Sequence, residues 1–317
     1  MAESEVPKIT KGRADLMNPL YDTPQTSLLF FQFDPVPFPS STTRLQNSAV
    51  KRASIEGKEV YLIDGFFTAS ESAELRNYSQ NASFSRNSYG SAEAIEKGER
   101  PARSMNGKER WQFFARPPQA IHELFKLFGD LAHRMNAEIT TLPWELCDER
   151  GNGSPSVIGN RLEEASLESM ELGMHQDCNP ENGIPFAIPV LYGSGEEVHP
   201  SSFINGDQGR PWIVSAMVYS TGEDFIPEYR MGTAFYTQDK TVALRADCKD
   251  MRLVIFEGDI FHTIEESAFP ENAKNWRVSY VFKLLINPKA KERSMREVFS
   301  RLLPRFSLAS LGEQSRA

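Results

Sequence analysis

Between residues 151 and 287 the chain is cut into short apolar or alternating runs by Gly, Pro and Asn, and this texture constrains the fold most. Strand side chains alternate between two faces, so short runs punctuated by turn residues specify a sandwich or barrel with one buried face. Strands are expected near 156–160, 168–175, 186–192, 212–220, 232–237, 241–245, 251–256, 260–264 and 276–286. The expected class is therefore mainly β with flanking helices.

The flanks read differently. Residues 1–57 carry Pro at 7, 19, 24, 35, 37 and 39 without sustained periodicity, and are expected to form a partly disordered arm. Its apolar cluster, Leu28 to Phe31 with Phe33, is expected to dock on the body, because such a group in water would be adhesive. Ordered structure should begin with the strand from Lys58 and a Gly65 turn, after which Thr68 and Glu71 form a capping box for a helix reaching about Gln80. Residues 81–110 read as a polar connection, with Arg86, Arg100, Arg103 and Arg110 either substrate contacts or a solvated face. Pro117 and Pro118 open the clearest helix, where Ile121, Leu124, Phe125, Phe128, Leu131 and Met135 recur at spacings of three and four. A short basic helix over 289–303 should cover the sheet with Met295, Val298, Phe299 and Leu302. One domain over 58–290 is expected, with helical support at 68–140 and a β core at 151–287, followed by a C-terminal helix and tail over 291–317.

The balance of 35 basic against 43 acidic side chains, net −8, gives no electrostatic footprint for nucleic acid. Three scattered cysteines make neither a disulfide framework nor a thiolate zinc site, which points to a reducing compartment. No run of eighteen apolar residues is present, and the first residues lack the pattern of a secretory signal, so a cytoplasmic protein without membrane contact is expected.

Chemistry concentrates in two places. His175 and Asp177 stand two apart, so an extended backbone turns an imidazole and a carboxylate to one side. His262 follows the apolar run Leu253 to Phe256 and the turn Glu257-Gly258-Asp259, where a strand can deliver it from the opposite side. Two neutral imidazoles and one carboxylate leave three cis positions open on a metal, the arrangement of non-haem iron oxygenases. His199 is the rival third ligand, in a Gly- and Pro-rich loop over 179–210 that would lie over the metal and shape substrate choice. His122 and His133 read as surface residues of the long helix, and Cys178 as a small semi-buried side chain.

Iron of this type needs two further electrons to split dioxygen, which a 2-oxo acid supplies by losing carbon dioxide. The far carboxylate of such a cosubstrate needs a fixed cation, and the planar fork of Arg suits it. Arg277 and Ser279 share a face under the period of two, while Val278, Tyr280 and Phe282 point away. Lys283 lies on the Arg277 face as the reserve anchor.

The series Gly-Met-His175-Gln-Asp177, Ile-Val-Ser-Ala-Met-Val-Tyr219-Ser, Gly232-Thr-Ala-Phe, Val-Ile-Phe-Glu-Gly-Asp-Ile-Phe-His262 and Trp-Arg277-Val-Ser279 resembles the Fe(II) and 2-oxoglutarate-dependent dioxygenase superfamily, on its prolyl-hydroxylase-like side. The resemblance covers about residues 58–287. It implies a double-stranded β-helix, or cupin-like jelly roll, with iron held by His175, Asp177 and His262, and with Arg277 and Ser279 on the 5-carboxylate of 2-oxoglutarate. Tyr219 would either donate to that carboxylate or serve as a core aromatic. The ligand Asp177 implies hydroxylation rather than halogenation, of a protein side chain or a small metabolite, with O2 consumed and succinate and CO2 released. The gaps from Asp177 to Tyr219 and from His262 to Arg277 are longer than the family's usual ones. Two other readings stay open: a cupin-like divalent-metal enzyme that uses no 2-oxo acid, and a non-catalytic jelly-roll binding module.

Overall fold

The structure, a computed structural model, describes residues 9–14, 17–18, 23–24, 28–82, 84–86, 103–105, 112–114, 116–141, 157–163, 174–177, 188–189, 197–198, 205–221, 225–265, 268 and 276–303. It is mainly β. An 11-stranded antiparallel sheet runs in the order Ile9–Ala14, Leu28–Phe33, Ala137–Thr141, Trp276–Pro288, Trp212–Thr221, Leu253–Glu257, Lys58–Asp64 and Ala49–Ile55. The strand Val157–Glu163 pairs with the first half of Trp276–Pro288 and extends through Arg103–Met105 to Phe84–Arg86. A smaller sheet orders Val242–Ala246, Thr233–Tyr236 and Phe261–Ile264, and an antiparallel bridge from His175 to His262 adds the Met174–Asp177 segment at its edge.

Alternation along the two longest strands sorts their side chains into two cores. Val214, Ala216 and Val218 face one way with Val278, Tyr280 and Phe282, and meet the long helix Gln119–Met135. Met217, Tyr219 and Val281 face the other way, among Phe235, Leu244 and Phe256, in the space between the sheets. The helix buries all six residues of its predicted stripe, each of the larger ones contributing roughly 1.5–3 kcal/mol. Phe282 meets the edges of Phe125 and Phe128 at 5.6 and 5.9 Å. Asn136 ends the helix in the left-handed conformation, with φ 50°, and the chain passes directly into the sheet strand Ala137–Thr141.

The predicted capping box is present: Thr68 accepts from the Glu71 N–H while the Glu71 carboxylate accepts from the Thr68 N–H, opening the helix Ala69–Asn81. Leu28–Phe33 docks as expected, as a strand beside Ala137–Thr141 with Phe31 and Phe33 buried.

Within residues 1–57, read from the sequence as an arm, the described residues form regular elements ahead of Lys58. Pro39 stands in the first turn of a helix, Pro39–Asn47, where its missing N–H costs nothing. Buried Asp130 on the long helix fixes that helix, accepting from the Phe38 N–H at 2.9 Å and the Thr42 hydroxyl at 3.0 Å. Ala49–Ile55 then forms a hairpin with Lys58–Asp64 through Glu56 and Gly57, both at positive φ as a two-residue turn of this hand requires. At the other end the helix is Met295–Leu302, shorter than expected, because the Ser294 hydroxyl caps it. Met295 and Phe299 are its buried face, with Phe299 against Tyr61 and Trp212.

His122 is buried rather than at the surface, and burial first, then Lys126, lowers its pKa; His133 is exposed. The expected strand at 168–173, Cys147, Cys178, His199, Arg100 and Arg110 lie outside the described residues, as do most of the 179–210 loop and the last residues of the tail. Among the described residues no helix is long and apolar enough to cross a membrane.

Candidate metal centre

His262 lies one residue into the strand Phe261–Ile264, directly after the turn Glu257-Gly258-Asp259. That turn is held on three sides. Glu257, fully buried, accepts from the Glu59 N–H at 2.9 Å and pairs with Arg296 of the last helix. Asp259 pairs with Lys58 at 3.0 Å and accepts from Asn205. The Gln176 amide, between the two predicted ligands, donates to the Asp259 carbonyl at 2.7 Å, tying the His175 segment to the same turn.

The three predicted ligands converge. One donor atom from each of His175, Asp177 and His262 lies within 4.8 Å of the others. Asp177 Oδ1 is 3.8 Å from His175 Nε2, and Oδ2 is 3.7 Å from His262 Nε2. His175 is half exposed, whereas His262 is buried against the Phe256 ring at 4.8 Å. The His262 Nδ1 sits 2.9 Å from the Ile260 carbonyl, which can only accept, so Nδ1 carries the proton and Nε2 turns its lone pair to the cluster.

The electrostatics suit a divalent cation. Burial pulls the His262 pKa down to about 4, only partly opposed by Asp177, so the ring is neutral near pH 7. Burial pushes the Asp177 carboxyl up, but the Lys283 ammonium beside it outweighs burial and holds the group ionised, below the usual carboxylate range. A neutral imidazole at His262 and an ionised carboxylate at Asp177 are protonation states that metal binding needs.

Sequence reasoning does not anticipate what holds Asp177. Ser215 Oγ donates to its Oδ2 at 2.6 Å, and Lys283 Nζ lies 2.8 Å from its Oδ1. Ser215 is the one polar residue of the apolar run Trp212 to Val218, which is the available signal. Lys283, the reserve anchor by sequence, lies beside Asp177.

Arg277 stands six residues away on the same face of the same strand, 1% exposed. Its guanidinium lies 5.0 Å over the Tyr219 ring and donates to Ser279 Oγ at 3.2 Å. Arg277 has no carboxylate partner among the described residues, and its buried Nε has no hydrogen-bond partner there. The Tyr219 hydroxyl bonds Thr233 at 2.7 Å, and burial, countered by Arg277, pushes its pKa up to about 12. Tyr219 thus presents its ring face to Arg277. Cys248 completes this end as a buried free thiol whose pKa burial pushes up to about 11.

No protein-family model matches the chain, and no curated protein matches it.

Proposed function

We propose that the protein is an Fe(II)- and 2-oxoglutarate-dependent dioxygenase that hydroxylates a C–H bond of a protein side chain or small metabolite. The observation that carries this reading is Arg277. Burying a guanidinium with no carboxylate partner among the described residues is costly, so the site calls for an anion, and Arg277, over the Tyr219 ring, shares a strand face with Val281 and with Lys283 beside Asp177. A ligand with a chelating end and a distant carboxylate satisfies both.

The strand pairing supports the jelly-roll form of this reading. Val157–Glu163 pairs with Trp276–Pro288, His175 with His262, Trp212–Thr221 with Leu253–Glu257, and Thr233–Tyr236 with Val242–Ala246. These are the nested pairs first with eighth, second with seventh, third with sixth and fourth with fifth, as when one long hairpin is rolled up. Successive pairs alternate between the two sheets, and each sheet closes through one further pairing, Trp212–Thr221 with Trp276–Pro288 and Thr233–Tyr236 with Phe261–Ile264. The free buried Cys248 thiol accords with a reducing, cytoplasmic setting.

In this reading His175, Asp177 and His262 would hold Fe(II) through two imidazoles and one carboxylate. When bound, iron supplies the oxygen chemistry: C–H, 2-oxoglutarate and O2 become C–OH, succinate and CO2. Arg277 receives the 5-carboxylate in its planar fork, with Ser279 and the Tyr219 ring fixing the fork's orientation. Met217, buried, and Val281, partly buried, are paired across the two strands and give the face between Arg277 and Lys283 an apolar lining. A cupin-like metal enzyme would need the three ligands but not Arg277.

The test is succinate release from 2-oxoglutarate under air by the Fe(II)-loaded protein, wild type beside His262→Ala. Turnover in the wild type alone is expected. Equal rates in the two proteins would remove His262 from the centre.

A further inference from the structure

Ser215 and Lys283 are direct cross-strand partners, and each reaches one oxygen of the same carboxylate: Ser215 Oγ to Asp177 Oδ2 at 2.6 Å, Lys283 Nζ to Oδ1 at 2.8 Å. The Lys283 and Asp177 side chains are 4% and 5% exposed, so the ion pair is buried almost completely. If His175, Asp177 and His262 form a divalent centre, Asp177 must also give a lone pair to the metal, and the role assigned to Lys283 rests on that reading. Two cations would then share one buried anion.

We propose that Lys283 is a positioning residue that serves as an internal counter-charge to Asp177, weakening divalent-metal binding and making it dependent on an anionic ligand at the metal. Charge and geometry give the physical reasons. Without metal, the Lys283 ammonium gives the buried Asp177 carboxylate its counter-charge and keeps it oriented toward the two imidazoles. With metal, the centre would hold, among the described residues, a divalent cation and an ammonium against one carboxylate, an excess of two positive charges where Lys283 and Asp177 are buried. Like charges a few ångströms apart there repel far more strongly than in water. An anion binding at the open metal positions offsets the excess, so metal and 2-oxoglutarate should bind with positive coupling, and by linkage each should tighten the other equally. A hydrogen-bonding clamp without this charge effect predicts the opposite sign, since removing it would loosen the ligand.

The experiment is a Mn(II) titration, followed by the paramagnetic resonance signal of free Mn(II), with and without 2-oxoglutarate. It compares wild type, Lys283→Met, Lys283→Gln and His262→Ala, with thermal melts of each metal-free protein. Gln keeps an N–H donor for Asp177 and removes only the charge, so it keeps the test open if Met fails to fold. Both Lys283 variants should bind Mn(II) roughly tenfold or more tighter than wild type without 2-oxoglutarate. The tightening that 2-oxoglutarate produces should be several-fold smaller in both variants than in wild type. Weaker Mn(II) binding by Lys283→Met with wild-type affinity in Lys283→Gln would overturn the counter-charge and leave a hydrogen-bond clamp. Equal binding, or none, in wild type and His262→Ala would overturn the metal centre itself, and the inference with it.

Discussion

His175 and His262 each donate their backbone N–H to the other's carbonyl, at 3.0 and 2.9 Å, and their rings lie 4.4 Å apart. The two imidazoles are therefore placed by main-chain pairing, which either side chain can lose without releasing the other. His175→Ala and His262→Ala should both fold, the second with a loss of about 1–3 kcal/mol for the cavity beside Phe256 and Phe235. A divalent cation at a hundredfold excess over its Kd should raise the wild-type Tm by about 5 °C or more. Neither variant should show that shift in a thermal melt.

Arg277→Met separates a ligand anchor from a structural cation. A buried Arg held for stability costs several kcal/mol when removed, because its partner is left charged and alone. Arg277 has no such partner among the described residues, and Met fills a similar volume beside Tyr219. The variant should melt at or above the wild-type temperature in the absence of ligand and bind Mn(II) normally. Its affinity for 2-oxoglutarate should fall by a hundredfold or more, about 3 kcal/mol, read by calorimetry.

Glu71 ties the two N-terminal helices together, capping Ala69–Asn81 while receiving both ends of the Arg44 fork at 2.9 Å. Burial raises its pKa, but Arg44 and the Thr68 N–H outweigh that and leave it below its ordinary 4.5. A depressed carboxyl pKa contributes stability that is complete above the unfolded-state value and is lost as pH falls through the folded-state value. Glu71→Gln should thus cost about 1–3 kcal/mol at pH 7. Chemical denaturation should show the gap to wild type closing as the pH is lowered below about 4.5.

Gly232 opens the strand that pairs with the His262 strand, and a methyl there would run into the Ala246 carbonyl and the Glu265 carboxylate. Gly232→Ala should cost about 1–3 kcal/mol through this overpacking. Its shift should spread to both neighbours of Thr233–Tyr236, so Mn(II) affinity should fall along with the melting temperature.

The parts legible in the sequence are those fixed by local period. The long helix announces itself through Ile121 to Met135, the capping box through Thr68 and Glu71, and the shared face of Arg277 and Ser279 through alternation. Convergence of His175, Asp177 and His262 is also legible in the pattern, because each stands beside a recognisable strand signal. The misses are tertiary. Ala49–Ile55 is an edge strand carrying Lys51 and Arg52, whose charges suit an edge and erase the apolar alternation. Helix Pro39–Asn47 has little apolar face and depends on Asp130, ninety residues away. The pairing of Lys283 with Asp177 needs the sheets to close over each other, and period alone shows only the face on which Lys283 lies.

The most direct test is 2-oxoglutarate binding to the Mn(II)-loaded protein without oxygen, since it requires no knowledge of the substrate. One molecule of 2-oxoglutarate per chain is predicted, bound only when metal is present and lost in Arg277→Met. Mn(II) binding at His175, Asp177 and His262 with no binding of 2-oxoglutarate would contradict the proposed function and favour a metal enzyme that uses no 2-oxo acid.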